Sequence, residues 1–333
     1  MTKGTIVFRI IISVLLGLTM LCSMFFAALS AVYISKVVMA EELGVCVAGV
    51  EVTRNNKDDV LGDGTVSFDA YNKVLDFHNA QIKYDDTVVY SRIDLMIRLT
   101  GENKFLMSGT SVPAIYAGNA RLMKDLAFLG EGSLTVEFEN NCSDAMGIYA
   151  RNLRFETDVT VTTPDCANIV NGICSEANMT VTNQATVTVH NGAGKYSTAV
   201  KSCNNINIET GSTMNVSVAS GTTDICKAFQ VLGSLILWDD AVLNVSMDDE
   251  TAQTSECIHV TGFMSVGRNA AVTASAKNTY AIKCCGSMEL SEGASVSASA
   301  DAQPVDLMCY GAIVNNGATL HAETETFAGA QGK

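Results

Sequence analysis

The 333-residue sequence contains few of the residues that build bulky cores and rigid loops. It has 3 prolines, 1 tryptophan and 7% aromatic residues, although 48% of its residues are hydrophobic. Alanine, valine, threonine and serine are abundant instead, a composition that suits strands around a thin interior and argues against helices around a bulky one. We therefore expect an all-β protein with small side chains in its core.

Basic residues are also scarce after position 40. Residues 1–40 contain Lys3, Arg9 and Lys36 and no acid, which leaves 18 basic against 35 acidic residues, a net charge of about −17, in the rest of the chain. Because binding to phosphate needs a basic surface, this balance argues against a nucleic-acid partner. The acidity permits cation binding, and it would also keep an exported protein soluble.

A long apolar run lies near the N-terminus. Residues 10–34 carry no charge, and a helix of this length, rising ~1.5 Å per residue, can cross a ~30 Å hydrocarbon core. Lys3 and Arg9 precede it, which predicts a cytoplasmic N-terminus and an exported chain. The small residues near position 40 also suit signal-peptide cleavage. Residues 1–40 are thus predicted to be a membrane anchor or a cleaved signal peptide.

The strongest pattern is an internal repeat, in which two short alternating strands are joined by a turn and preceded by a third strand. Self-similarity at a fixed period is the sequence signature of repeat architectures. One apolar position recurs at spacings of 27, 29, 29, 24 and 24 residues. Its members form the apolar column Val187, Met214, Leu243, Val272, Val296 and Leu320, which Val159 extends upstream.

This repeat predicts a right-handed parallel β-helix (β-solenoid). Stacking three-stranded coils ~4.8 Å apart buries one continuous core and satisfies backbone groups between coils. We expect an N-terminal cap with the first strands in residues 41–80, coils in 81–326 and a polar tail in 327–333. An immunoglobulin-like sandwich is the main alternative, but it does not predict a column that repeats over seven units.

Several segments carry a family resemblance. They are residues 58–69 (DDVLGDGTVSFD), 75–82 (LDFHNAQI), 99–103 (LTGEN), 130–136 (GEGSLTV) and 147–153 (GIYARNL). Through them, most of residues 45–325 resembles the repetitive β-helix surface proteins of anaerobic, often gut-dwelling bacteria, described as uncharacterised or carbohydrate-binding-domain-like. The resemblance implies an extracytoplasmic solenoid with a capped start, and it implies no catalytic residues.

One outward column has small polar side chains at every coil. The candidate binding strip is Thr188, Asn215, Asn244, Thr273 and Ser297, with Thr160 and His321 at its ends. It would suit contact with a polysaccharide or a surface protein, and it equally fits an ordinary solvated face. Carbohydrate sites usually add aromatic platforms, and the single Trp238 stands alone.

Two acidic groups are candidates for chemistry. Asp239, Arg268 and Glu292 fall in one column, which predicts either an exposed salt ladder or the site of a calcium-dependent polysaccharide lyase. The turn containing Asn55, Asp58, Asp59 and Asp63 is either a cap or a Ca²⁺ site. Calcium is the one cofactor considered, and no zinc site is expected.

Histidine and cysteine give little further indication of chemistry. His78, His190, His259 and His321 lie in different coils and columns, so no catalytic or metal site is expected among them. Counting back from the apolar column aligns Cys285 with Cys309, a possible disulfide between neighbouring coils. Most of the 11 cysteines are expected to be small core residues.

These observations favour a non-catalytic, exported β-solenoid that binds or scaffolds at the bacterial cell surface, through adhesion or polysaccharide contact. The alternative is a lyase-like β-helix enzyme that degrades polysaccharide. A groove with three or more convergent carboxylates and a nearby lysine or arginine would favour the enzyme.

Overall fold

A computed structural model describes residues 42–108, 112–119, 122–139, 143–301, 306–322 and 325–327. Within these ranges the regular structure consists of β-strands, with no helix. The predicted anchor or signal peptide, residues 1–40, lies outside the described residues. Among the residues that are described, none forms a helix long and apolar enough to cross a bilayer.

The strands form three sheets that run along the length of the molecule. Sheet A has 13 strands: Val50–Thr53, Glu42–Val47, Val89–Ser91, Pro113–Asn119, Ala145–Ala150, Ile169–Ser175, Tyr196–Ser202, Ile225–Val231, Thr254–Val260, Ile282–Cys284, Leu307–Cys309 and Glu325–Phe327, with Leu122–Met123 beside Pro113–Asn119. Sheet B has 11: Val66–Asp69, Val74–His78, Leu95–Thr100, Leu126–Gly130, Leu153–Phe155, Met179–Val181, Ile206–Ile208, Leu235–Leu237, Met264–Val266, Met288–Leu290 and Ile313–Asn315. Sheet C has 10: Gln81–Tyr84, Glu102–Met107, Ser133–Phe138, Asp158–Thr162, Thr186–Asn191, Thr213–Val218, Val242–Met247, Ala271–Ala276, Ser295–Ala300 and Thr319–His321.

Each coil contributes one strand to each sheet. The chain passes through Met179–Val181 in sheet B, Thr186–Asn191 in sheet C and Tyr196–Ser202 in sheet A, and then returns to sheet B at Ile206–Ile208. Each of these strands pairs in parallel with the equivalent strand of the next coil. The prediction of a parallel β-solenoid is therefore confirmed.

The apolar column is confirmed residue by residue. Val159, Val187, Met214, Leu243, Val272, Val296 and Leu320 are successive register partners in sheet C. All but Leu320 are buried. The next inward position of sheet C holds valine at Val216 and Val245 and narrows to alanine at Ala274 and Ala298. In sheet B, the earlier coils hold stacked phenylalanines such as Phe128 and Phe155, with ring centroids 5.2 Å apart. The interior therefore tapers towards the C-terminal end.

The turn from sheet B to sheet C needs a left-handed residue in many coils. Gly211 and Gly293 have φ of 71° and 75° there, and Asp240 and Asn269 have φ of 59° and 56°. Glycine, asparagine and aspartate are the residues that adopt this conformation at least cost. Gln184, with φ of 59°, occupies the equivalent position one coil before Gly211, so four residue types serve this bend.

The two ends of the solenoid differ. At the N-terminal end Val66–Asp69 pairs antiparallel with Val74–His78, and its outer edge bonds to the loop at residues 57–60. The edge strand Val50–Thr53 is covered by Asn56, whose side chain accepts from Thr53 N at 2.7 Å and donates to Glu51 O at 3.0 Å. At the C-terminal end the last strand of sheet B, Ile313–Asn315, has no outer neighbour among the described residues, and Val314 is 48% exposed.

The predicted pairing of Cys285 with Cys309 is wrong by one residue. The register partner of Cys309 is Cys284, and all three thiols are free. Met288 pairs with Ile313 and Val296 with Leu320, so the last coil is one residue shorter between these positions. Counting back from the apolar column therefore slipped by one. Cys166, in contrast, is disulfide-bonded.

Candidate functional site

The polar strip lies on the outer face of sheet C, as its alternation predicts. Thr188, Asn215, Asn244, Thr273 and Ser297 are register partners in successive strands. Asn244 and Thr273 are exposed and the others are half-buried. Asn244 Nδ2 donates to Asn215 Oδ1 at 2.9 Å. The strip is thus a flat, uncharged face with hydrogen-bonding groups at the coil spacing.

A groove of about 1040 Å³ lies at the corner between sheets C and A. His190 and Ser217 line it, and they follow Thr188 and Asn215 by two residues in the same strands, so the groove continues the polar strip. His190 Nδ1 lies 2.7 Å from Ser217 Oγ. The carboxylate of Asp165, also in the lining, accepts from Ala193 N at 2.7 Å.

The outer face of sheet A carries a ladder of three tyrosines. Tyr90, Tyr116 and Tyr149 are register partners in consecutive strands, and their ring centroids are 5.8 Å apart at both steps. Their sequence spacings differ because the intervening turns differ in length, which hid the column from sequence reasoning. The next positions in the column are Cys174 and Lys201.

The ladder ends in a slot of about 250 Å³ above Cys174. In this column the small side chain of Cys174 follows the three tyrosines and precedes Lys201. A gap therefore opens between the ring of Tyr149 and the side chain of Lys201. Two coil steps separate these residues, about 10 Å of backbone spacing. The slot is lined by residues of both flanking coils, including Met146, Tyr149, Asn171, Cys174, Glu176 and Lys201.

The slot offers one aromatic face and several polar groups. Tyr149 Oη donates to Glu176 Oε1 at 2.7 Å, and burial together with this bond raises the pKa of Tyr149, so its hydroxyl stays protonated. Burial raises the pKa of Cys174 to about 12, so the floor carries a neutral thiol. Lys201 makes no ion pair with another described residue. Its ammonium and the Glu176 carboxylate give the slot balanced charges.

The acidic column places Asp239, Arg268 and Glu292 on successive coils, with an ion pair between the first two. Arg268 Nη2 contacts Asp239 Oδ2 at 2.8 Å, with the Arg268 side chain 66% exposed. Hydrogen bonds from Arg268 lower the pKa of Asp239, and Glu292 acts on Arg268 through its charge. One guanidinium therefore separates the two carboxylates, whereas a lyase needs several acids converging in one groove.

In the acidic turn near the N-terminus, carboxylates accept hydrogen bonds from backbone N–H groups of the same turn. Asp59 Oδ1 accepts from Gly62 N at 2.9 Å and Gly64 N at 3.0 Å, and Asp63 Oδ1 accepts from Thr65 N at 2.9 Å. These are the contacts of a capping turn. Within the described ranges no group of three or more His, Cys, Asp and Glu side chains is placed to hold a metal.

Sequence reasoning missed a cluster of titratable side chains nearer the C-terminal end of sheet A. Glu256 Oε1 lies 2.9 Å from His259 Nδ1 and Glu256 Oε2 lies 3.0 Å from Lys227 Nζ. On the other side of the ring, Cys285 Sγ lies 3.6 Å from His259 Nε2. Burial raises the pKa of Glu256, but the contacts with His259 and Lys227 outweigh burial and lower it to about 2. Aligning Val260 with Cys284 would have placed Cys285 beside this strand.

Comparison of the chain with protein-family models, with curated proteins and with solved structures finds no match to any of them.

Proposed function

We propose that the protein is an exported, non-catalytic β-solenoid that binds glycan at the bacterial cell surface, with one neutral hexopyranose ring seated in the slot beside Tyr149. The observation that carries the proposal is the aromatic ladder that stops at Cys174 and leaves a ring-sized gap on the face of Tyr149. The coil is proposed to be right-handed, as ≈ 98% of such parallel crossovers are. Export is supported by residues 1–40 and by the acidic remainder of the chain.

A pyranose fits the polar groups of the slot better than a plain aromatic ring does. One face of the sugar would stack on Tyr149, and its hydroxyls would donate to Glu176 and bond to the Asn171 amide. An aromatic ring without hydroxyls would leave the Glu176 carboxylate desolvated and short of donors, which is costly. The volume of about 250 Å³ limits the slot to a single ring.

Charge favours a neutral sugar. Glu176 and Lys201 balance each other within the slot, while the chain as a whole carries a net charge of −14. A polyanionic glycan would meet repulsion from the rest of the surface, an effect that reaches ~8–10 Å at physiological salt. The polar strip from Thr188 to Ser297 is proposed as a second contact for longer glycans or for a surface protein.

A glycan-binding panel with the full chain tests the proposal. Neutral and acidic oligosaccharides are immobilised, and retention is compared for wild type, Tyr149→Ala, Glu176→Gln, Cys174→Phe and the double variant Asn215→Ala with Asn244→Ala. The phenylalanine continues the ladder and fills the slot, so it is expected to abolish retention while leaving the fold intact. Tyr90→Ala is the matched control, because it shortens the same ladder at the end remote from the slot.

The outcomes separate the alternatives. Retention of a neutral glycan that Cys174→Phe abolishes and Tyr90→Ala preserves supports the slot. Retention that depends only on Asn215 and Asn244 moves the site to the polar strip. Retention of acidic glycans alone contradicts the charge argument, and release of unsaturated oligosaccharides would contradict the non-catalytic assignment. No retention on any glycan would contradict the proposal that the protein binds carbohydrate.

A further inference from the structure

On the outer face of sheet A, the side chains of Cys285, His259 and Glu256 form a line in which each contacts the next. Cys285 Sγ lies 3.6 Å from His259 Nε2, and His259 Nδ1 lies 2.9 Å from Glu256 Oε1. His259 is in the strand Thr254–Val260, and Cys285 follows the paired strand of the next coil. A thiol, a ring that can take its proton and a carboxylate that orients the ring are the components of an activated cysteine nucleophile.

Positively charged side chains surround the line. Glu256 is contacted by Lys227 at 3.0 Å and by Lys283 at 3.9 Å, as well as by His259. Two ammonium groups against one carboxylate give these three side chains a net positive charge, in a chain whose overall charge is −14. Reactive cysteines are found in such electropositive, partly exposed surroundings, and Cys285 is partly exposed.

The backbone around Cys285 indicates which reaction this thiol can serve. Acyl transfer needs free N–H donors for the developing oxyanion. Here Cys285 N donates to Val260 O at 2.8 Å and Gly286 N donates to Gly262 O at 2.9 Å, so both nearby donors are used by the sheet. Thiol–disulfide exchange has no such requirement, because a thiolate attacks a disulfide sulfur directly and passes through a mixed disulfide.

We propose that Cys285 is a site of reversible S-thiolation, at which His259 acts as the base and Glu256 as the residue that positions it. The Cys285 proton passes to His259 Nε2, and the thiolate attacks one sulfur of a small-molecule disulfide. A new S–S bond forms at Cys285 as the S–S bond of the disulfide breaks, and the departing thiolate takes the proton from His259. The small disulfide is thereby reduced to one free thiol and one protein-bound half.

The reaction is tested on the full chain with oxidised glutathione as the probe. The rate of mixed-disulfide formation at each cysteine is followed by peptide mass spectrometry from about pH 5 to 9, the range in which thiols change their ionisation. Cys203 is the internal control, because it is exposed and the structure records no histidine contact for it. Cys285 is expected to react faster than Cys203 although it is less exposed.

Two variants assign the roles. His259→Asn is expected to slow Cys285 at least about tenfold, as loss of a general base does, and to leave Cys203 unchanged. Continued protection of the buried Cys226 and Cys257 from the probe reports that the variant is folded. Glu256→Gln is expected to shift the pH profile of Cys285, which a purely structural role would not do. Equal rates at Cys285 and Cys203 in wild type, or a Cys285 rate that His259→Asn does not alter, would overturn the proposal.

Discussion

Acid should weaken the solenoid through Glu256, and the size of the effect follows from its contacts. The side chain is 16% exposed and lies between His259 and Lys227. These contacts lower the pKa of Glu256 from 4.5 to about 2. A carboxylate whose pKa is lower in the folded than in the unfolded chain stabilises the fold above the unfolded value, and this contribution is lost as the pH falls towards the folded value.

Between about pH 5 and pH 3 the expected loss is about 2 kcal/mol, since one pKa unit corresponds to ~1.36 kcal/mol. Urea unfolding followed by circular dichroism, at both pH values, gives the free energy of unfolding for wild type and for Glu256→Gln. Other carboxylates titrate in both proteins, so the difference between the two pH dependences isolates Glu256. If wild type and variant lose the same stability over this interval, Glu256 is not held ionised by its neighbours and the reasoning fails.

Four further perturbations test the packing. Phe155→Ala should lower the free energy of unfolding in urea by about 3–5 kcal/mol, because the ring is fully buried; a loss below ~1 kcal/mol would mean that the interior can collapse around the gap. Asp249→Ala should cost about 2–4 kcal/mol in the same assay, because its buried carboxylate accepts three backbone N–H groups; a neutral result would show that the loop rearranges. Mild oxidation should join Cys284 to Cys309, and peptide mapping that finds Cys285 in this bridge instead would contradict the register. Arg268→Gln should leave the urea midpoint unchanged, because its ion pair with Asp239 is exposed; a clear drop in the midpoint would show that the ion pair stabilises the fold.

The coil architecture was predictable because it rests on a local rule repeated many times. Alternating side chains at each strand and a polar or glycine turn at each bend predict the same stacking in every coil. The column from Val187 to Leu320 is confirmed for this reason. Where a turn changes length, counting residues from the apolar column no longer gives the correct register. The alignment of Cys285 with Cys309 failed at such a turn.

The candidate site was less predictable, because it depends on which outward side chains become neighbours. The tyrosine ladder and the Glu256–His259–Cys285 line both span turns or loops of irregular length. Outward positions are also chemically varied, so that no shared residue type marks their columns as it marks the buried ones. The polar strip was found because its members are alike, whereas the slot exists because Cys174 is unlike its neighbours.

The unequal ends of the solenoid limit how copies of the chain can associate. A fibre requires each subunit to offer two complementary strand edges, one at each end. Asn56 and the loop at residues 57–60 already occupy backbone groups at the first edges of sheets A and B, whereas the last strand of sheet B, Ile313–Asn315, has no outer neighbour among the described residues. The covered first edges therefore disfavour head-to-tail growth through sheets A and B, because a strand added at the C-terminal end of one molecule would find no free partner edge in those sheets at the N-terminal end of the next.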